Sequence, residues 1–448
     1  MLLLAIILSF IVCVWWIAAR SITDALIDVY LPIFVLLPVA YVVDVPHVTI
    51  INPATAALLP IALWALIKCK WHFQRSDLWL LLFILGEAYP YSHRLGFTVG
   101  IHVFVQSLFA IFFPYAVGKL LLEQPGIRQR FLGRMLSFLA FAAVVEVIEF
   151  RLGINLFTNV FDRFFHRPGG IFEQIRGGFS RAQGPFGIAI TAGLFFGSAW
   201  IFGLWLAYVD KSDKHSPEPR FFGIRRSFLL PWLLLSGLVM TLSRGPWMGA
   251  AIGFAISRIG YAKRVRFTAI IVLSTIVVAG SAGYAYFDAY TSVDYWSAQT
   301  YEQQTAIYRK ELVHAYEPIV QEGGLFGWGE QFPRVGGQSS IDNEFLWLRL
   351  TQGPFGLWMF CLIVGEAALA LIKTARKSYL KSDFTFAISM LGVLCGMLAT
   401  LLTVSLGVPA LQLFFLCIGW SLSMRRTEET KATPVLDQTE QNYVKIFA

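Results

Sequence analysis

Thirteen apolar runs, most of them long enough to cross a hydrocarbon core of about 30 Å, divide this chain from one end to the other. They lie near residues 2–18, 25–43, 50–67, 77–90, 98–122, 131–150, 186–209, 228–243, 246–259, 267–287, 344–372, 384–405 and 407–424. Runs of this length read as membrane-spanning helices, and no soluble core would hold them. With 56% hydrophobic and 14% charged residues, the chain carries more apolar surface than a globule of its size can bury. The first run has no basic flank before it and no small-x-small cleavage site after it, so it reads as a retained helix and not a signal peptide. The expected fold is an all-α, polytopic transmembrane bundle of 12 or 13 helices; the runs near 77 and 246 are the short ones.

Charge sets the orientation. The segments 20, 68–75, 119–134, 211–226, 258–266, 373–381 and the C-terminal tail hold 25 of the 36 Lys and Arg residues. Strict alternation through all thirteen runs puts every one of them on the same side, with the N-terminus outside and the C-terminus inside. The net charge of +8 is thereby explained by membrane topology, and no nucleic-acid partner is expected. Two long outer loops remain, about 151–185 and 288–343. All five cysteines fall in helices or inner loops, so no outer disulfide or thiol ligand set is expected. The tail after Arg426 reads as a disordered inner end.

The outer face holds the residues suited to chemistry. Thr241, Leu242, Ser243, Arg244, Gly245, Pro246 and Trp247 stand between two short runs. An arginine at a helix centre costs roughly 2.5 to 3.5 kcal/mol, so Arg244 is expected at the outer boundary with an anionic partner, its direction fixed by Gly245 and Pro246. The alternative is an interfacial anchor helped by Trp247. Arg163, Arg167, Arg176 and Arg181 crowd the first loop against only Asp162 and Glu173, contrary to the positive-inside trend. Guanidinium groups gathered there suit a phosphate ligand, with contact to acidic lipid as the other reading. In the second loop, Thr305 to Gln321 has helical spacing, with Tyr308, Leu312, Ala315, Tyr316 and Ile319 on one stripe and Lys310, His314, Glu317 and Gln321 on the wet face. Arg309 points partly inward and needs an anion, for which Glu302 is the structural candidate. After a Gly-rich turn (Gly323, Gly324, Gly327, Gly329) and Gly336 and Gly337, Asp342 and Asn343 precede the next helix as caps; a carboxylate beside arginines also suits a general base. Glu146, Glu149 and Glu366 are expected as buried pair partners. No HExxH, DxD or Walker-type pattern is present, and neither a metal nor a cofactor is expected.

These motifs resemble the O-antigen ligase and Wzy polymerase superfamily over roughly residues 150–365. The resemblance is carried by Arg181 with Gly184, Pro185 and Phe186; by Thr241 through Gly245; by Tyr308 and Arg309; by Gly327, Trp328 and Gly329; and by Asp342, Asn343, Phe345 and Leu346 leading to Gly353, Gly356 and Leu357. It implies a glycosyltransferase-C-like bundle in a bacterial inner membrane with its active face periplasmic. It divides the chain into N-terminal helices (1–150), a core (151–365), C-terminal helices (366–424) and a tail (425–448). The implied donor is an undecaprenyl-diphosphate-linked glycan and the implied acceptor a second glycan, with membrane lipid and a chain-length regulator as further partners. Arg181 and Arg244 would hold the diphosphate and Asp342 would act as base, giving metal-independent, inverting transfer. Arg309, Arg176, Tyr308, His314 and Asn343 are the expected substrate-binding residues. In ligases a histidine precedes the asparagine of the last motif; Asp342 at that place fits polymerase-like members that build O-antigen or exopolysaccharide. The other readings are an O-antigen ligase acting on lipid A core and, from a different class, an anion transporter.

Overall fold

A computed structural model of the chain describes residues 1–45, 49–165, 174–212, 220–221, 224–335 and 340–432. The first half comprises α1 (Leu2–Ala19), α2 (Ile22–Ala25), α3 (Leu31–Leu36), α4 (Pro53–Lys68), α5 (Arg75–Leu95), α6 (Phe97–Ser107), α7 (Phe113–Leu121) and α8 (Ile127–Leu152). Single π-helical turns at Leu26–Tyr30 and Leu108–Phe112 join α2 to α3 and α6 to α7, so each pair is one continuous rod. Then follow α9 (Leu156–Phe161), α10 (Ala189–Ser212), α11 (Arg226–Met240), α12 (Arg244–Tyr261), α13 (Val265–Tyr290), α14 (Tyr301–Glu322), α15 (Glu344–Thr351), α16 (Gly353–Lys377), α17 (Lys381–Leu401) and α18 (Val408–Ala432). The described strands form only three two-stranded ribbons: β1 (Val43–Val45) with β2 (Thr49–Ile51), β3 (Ile175–Arg176) with β4 (Phe179–Ser180), and β5 (Arg220–Phe221) with β6 (Ile224–Arg225). The fold is all-α and polytopic. Seven described helices are long and apolar enough to cross a membrane, and three more are shorter and apolar.

Several expected boundaries shift for local reasons. The run 25–43 stops being helical after Leu36, where Leu37 turns extended ahead of Pro38, and its remainder enters the β1–β2 ribbon. The run 344–372 is two helices, broken where Gly353 takes a φ of +66°; a Cβ there would collide with the Leu325 carbonyl. The helix expected at 305–321 extends to Tyr301–Glu322, because the Thr300 hydroxyl accepts the Gln303 N–H and starts it a turn earlier. The last helix continues past Arg426 to Ala432, and the rest of the tail lies outside the described residues, as do Arg167, Glu173, Gly336 and Gly337.

One packing contact does most to position the outer turn before α12. Gly249 and Gly253 on α12 face Gly396 and Gly392 on α17, and a Cβ on any of the four would meet the partner's backbone. Two GxxxG faces thus bring the helices to backbone contact, which membrane helices exploit because packing, not water, drives their association. Gly118 on α7 and Gly419 on α18 make the same kind of crossing.

The loops segregate into two ends. At the basic end Lys119 donates to both Asp77 oxygens at 2.6 and 2.7 Å, Arg128 pairs with Glu123 and Asp383, and Arg226 pairs with Asp210 at 2.7 Å. Lys119 is buried in α7 and not in a loop. At the opposite end Val39 N–H donates to Pro185 O at 3.1 Å, Ala182 N–H to Met240 O at 3.1 Å, and Leu406 N–H to Glu344 at 2.7 Å. Every expected site residue lies toward this second end.

Candidate functional site

The site begins at the turn between α11 and α12. Leu242 sits there at φ +47°, the one described non-glycine residue with positive φ, a conformation costing of order 1–3 kcal/mol. The strain falls on Leu242 and not on Gly245, which lies inside α12 and is small because a side chain would strike Thr403. The Trp247 indole and the Thr241 hydroxyl both donate to Leu238 O, at 2.8 and 2.7 Å, and tie the turn to the end of α11. Three further acceptors of the turn bind arginines. Arg181 donates from Nε to Thr241 O at 3.1 Å and from Nη2 to Ser243 Oγ at 2.7 Å, and Arg176 donates to Leu242 O at 2.7 Å. Two of the expected cations of the first outer loop, Arg176 and Arg181, are therefore fastened to the turn that launches Arg244.

Arg181 is held from behind as well. Glu149, buried at the end of α8, accepts the N–H groups of Gln183 and Gly184 at 2.9 and 3.0 Å, while Asn155 donates to Gly184 O at 2.8 Å. Gly184 takes φ +52° with Glu146 directly beneath it. The expectation that Glu149 would pair with a cation is corrected: it binds backbone N–H groups, and by doing so fixes the chain two residues beyond Arg181. Neither oxygen of buried Glu146 has a hydrogen-bond partner among the described residues.

The second outer loop supplies the facing wall. Leu312, Tyr316 and Val320 of α14 pack on Phe332, Ile341, Leu346 and Leu350, and Arg349 clamps Glu317 at 2.8 Å, holding Glu317 below the usual carboxylate range. This small core, separate from the bundle core, sets the rotation of α14. Glu302 then meets Arg244 at 2.8 Å, and two turns later Arg309 stands 3.7 Å from Asp342. The Glu302–Arg309 pair considered from spacing is not formed; α14 offers its acid to Arg244 and its arginine to Asp342. Asp342 also accepts the Ser340 hydroxyl at 2.5 Å, and Tyr308 donates to Ser340 O at 2.7 Å. Burial, and then the Asp342 charge, push the Tyr308 hydroxyl up. Asn343 caps α15 through its oxygen, which accepts the Leu346 N–H at 3.1 Å. His314 lies exposed on α14, and no hydrogen bond or ion pair among the described residues joins it to this group.

Burial first, then the charges of Arg176 and Arg309, push Arg181 down to about 10. Its two contacts to the turn are both neutral acceptors, and the buried Nε of Arg309 has no hydrogen-bond partner among the described residues. A half-buried arginine held by neutral acceptors in the field of two others favours a ligand that brings negative charge and several acceptor oxygens. Ser243 and Glu149 were visible as a motif residue and a buried acid, but their link to Arg181, through the Ser243 hydroxyl and the N–H groups of Gln183 and Gly184, depends on contacts that residue spacing does not reveal.

With this geometry in place, comparison with known families is informative. A family profile described as O-antigen ligase (Wzy_C) matches residues 229–361. The matched segment runs from α11 into α16 and holds Arg244, Tyr308, Arg309, Asp342 and Asn343, while Arg176 and Arg181 precede it. No curated protein matches the chain. The match bears out the resemblance to the O-antigen ligase and Wzy-type superfamily. Together with seven spanning-length helices it points to a multi-pass membrane protein with a polysaccharide polymerase- or ligase-type function, and so to a glycosyltransferase-type enzyme.

Proposed function

Proceeding from the O-antigen ligase match, we propose that this chain polymerises undecaprenyl-diphosphate-linked repeat units at the periplasmic face of a bacterial inner membrane. The observation that carries the reading is the meeting of Arg309 with Asp342 at 3.7 Å, in a place where the charge of Arg309 is also felt by Arg181. A glycosyl transfer from a lipid diphosphate needs cations and a base in one place. The hydroxyl oxygen of the acceptor sugar forms a bond to the anomeric carbon of the donor. The bond from that carbon to the phosphate oxygen breaks, and its electrons leave on the diphosphate. Arg181 and Arg309 would stabilise the charge that develops there, the setting in which fixed donors contribute most. The hydroxyl proton passes to Asp342, whose Oδ1 is held by Ser340 and whose Oδ2 faces Arg309. Attack from the face opposite the diphosphate inverts the anomeric centre.

Arg244 plays its part from a different position. Its guanidinium is exposed and paired with Glu302, so an incoming diphosphate would exchange one anion for another. A ligase that moves the finished glycan to lipid A core is the second reading, favoured by the description of the matched family. Both are tested by the lipid-linked glycans of cells carrying Arg244→Ala or Asp342→Ala. Each variant should reach the membrane and yield a single undecaprenyl-linked repeat unit. Accumulation of long unligated chains would assign a ligase, and normal long-chain glycan in both variants would refute the site.

A further inference from the structure

A cavity of about 410 Å³ opens beside Arg181, between the end of α8, α9 and β4. It falls in the lower part of the range of ligand cavities, which begins at about 300 Å³. Its lining differs from that of most such pockets. Glu149, Asn155, Asn159, Asp162, Arg163 and Arg181 contribute to it, and among the described residues that line it Ile154 has the only apolar side chain. A wall of amides, hydroxyls and carboxylates does not suit an isoprenoid tail, but it matches a polyhydroxylated ring, which needs donors and acceptors on every side.

The polar groups divide into those that build the wall and those left over. Asn155 is spent on Gly184 O and the Thr158 N–H, and Asp162 Oδ1 takes the Tyr41 hydroxyl at 2.6 Å. Asn159 is exposed on α9, and its side chain makes no hydrogen bond among the described residues, nor does that of Arg163 or Ser180. Arg181 alone belongs to both places: it lines the cavity, and it sits within the field of Arg176 and Arg309. A ligand filling both must be hydroxylated on one side of Arg181 and anionic on the other. That is a sugar joined to a diphosphate.

We infer that this cavity receives the sugar residue of the donor that is bonded directly to the diphosphate, and that Asn159, Ser180 and Arg163 read its hydroxyl groups. The inference rests on the proposed diphosphate site and extends it to the group whose anomeric carbon reacts. It places donor specificity in α9 and β4, upstream of the segment that matches the family profile.

The test compares two probes on the purified full-length protein in lipid nanodiscs: bare undecaprenyl diphosphate, and the lipid-linked repeat unit extracted from cells lacking this chain. Wild type should bind the sugar-bearing probe more tightly by about tenfold, the scale of one or two net hydrogen bonds. Asn159→Phe, on an exposed helix position, and Ser180→Tyr, on the ribbon, should each abolish that advantage and leave the affinity for bare undecaprenyl diphosphate unchanged. Retention of the full advantage in both variants would overturn the cavity assignment. A rise in KM for the acceptor alone would overturn the choice of the donor sugar. If wild type does not bind bare undecaprenyl diphosphate, or if Arg309→Ala binds it equally well, the diphosphate site itself is refuted, a failure distinct from that of the cavity.

Discussion

Arg181 spends two of its N–H groups on a strained turn and still carries its charge into a half-buried place near two other arginines. A diphosphate relieves that repulsion, whereas a lysine at the same place would start from a lower intrinsic value and suffer the same burial and the same neighbours. Arg181→Lys should therefore bind undecaprenyl diphosphate progressively less well as pH rises from 7 to 9, because the ammonium form is the binding form. Wild type, with Arg181 pushed down only to about 10, should hold its affinity across that window; equal pH dependence in both proteins would contradict the assignment. Glu149 provides a second test at this scale. In Glu149→Gln one of the two N–H groups of Gln183 and Gly184 faces an amide donor, and a buried unpaired donor costs about 1–3 kcal/mol. The variant should melt earlier in detergent and show a raised donor KM, and unchanged values of both would remove Glu149 from the positioning of Arg181. The cations and Asp342 were legible as candidates because arginine crowded on an outer face and a carboxylate at a helix start are unusual in type and place. Their pairing was not legible. Helical spacing allowed Glu302 to reach Arg309, but the packing of Leu312, Tyr316 and Val320 rotates α14 so that Glu302 meets Arg244 instead.

At the scale of elements, the turn before α12 is placed by the seam between α12 and α17. Gly253→Leu would put a branched side chain against the Gly392 backbone, and overpacking of this kind typically costs 1–3 kcal/mol. The variant should lose thermal stability and also donor affinity, although Gly253 lies near the middle of α12, more than two turns from Arg244. A drop in stability with donor affinity intact would show that the turn holds its shape without the seam. Helices as such were readable from their apolar runs, and so was the fold class. Breaks inside a run were harder to read: Gly353 and Pro354 stand at the break between α15 and α16, but the apolar character of 344–372 continues through them and the run reads as one helix. Short ribbons such as β1–β2 and β3–β4 also escaped, since two or three residues carry no periodicity.

For the whole molecule, the charge asymmetry of the sequence and the contacts of the structure separate the same two ends. Asp77, Lys119, Arg128 and Asp383 neutralise one another at the basic end, while the other end leaves arginines beside a cavity and a carboxylate. Alternation of basic loops was enough to place the candidate residues on a common face. Which outer loops would touch was set by packing between distant helices and lay beyond it. The proposed reaction is the transfer of a glycan from a lipid diphosphate by the group of Arg181, Arg309 and Asp342. Its most direct measurement is the product length distribution from the purified chain in vesicles, supplied with the lipid-linked repeat unit as both donor and acceptor. Wild type should give a ladder of extended lipid-linked chains, and Asp342→Asn should lower the rate of extension by about 10²- to 10⁴-fold, the usual weight of a general base, with donor binding preserved. An undiminished ladder from Asp342→Asn, or from Arg309→Ala, would contradict it.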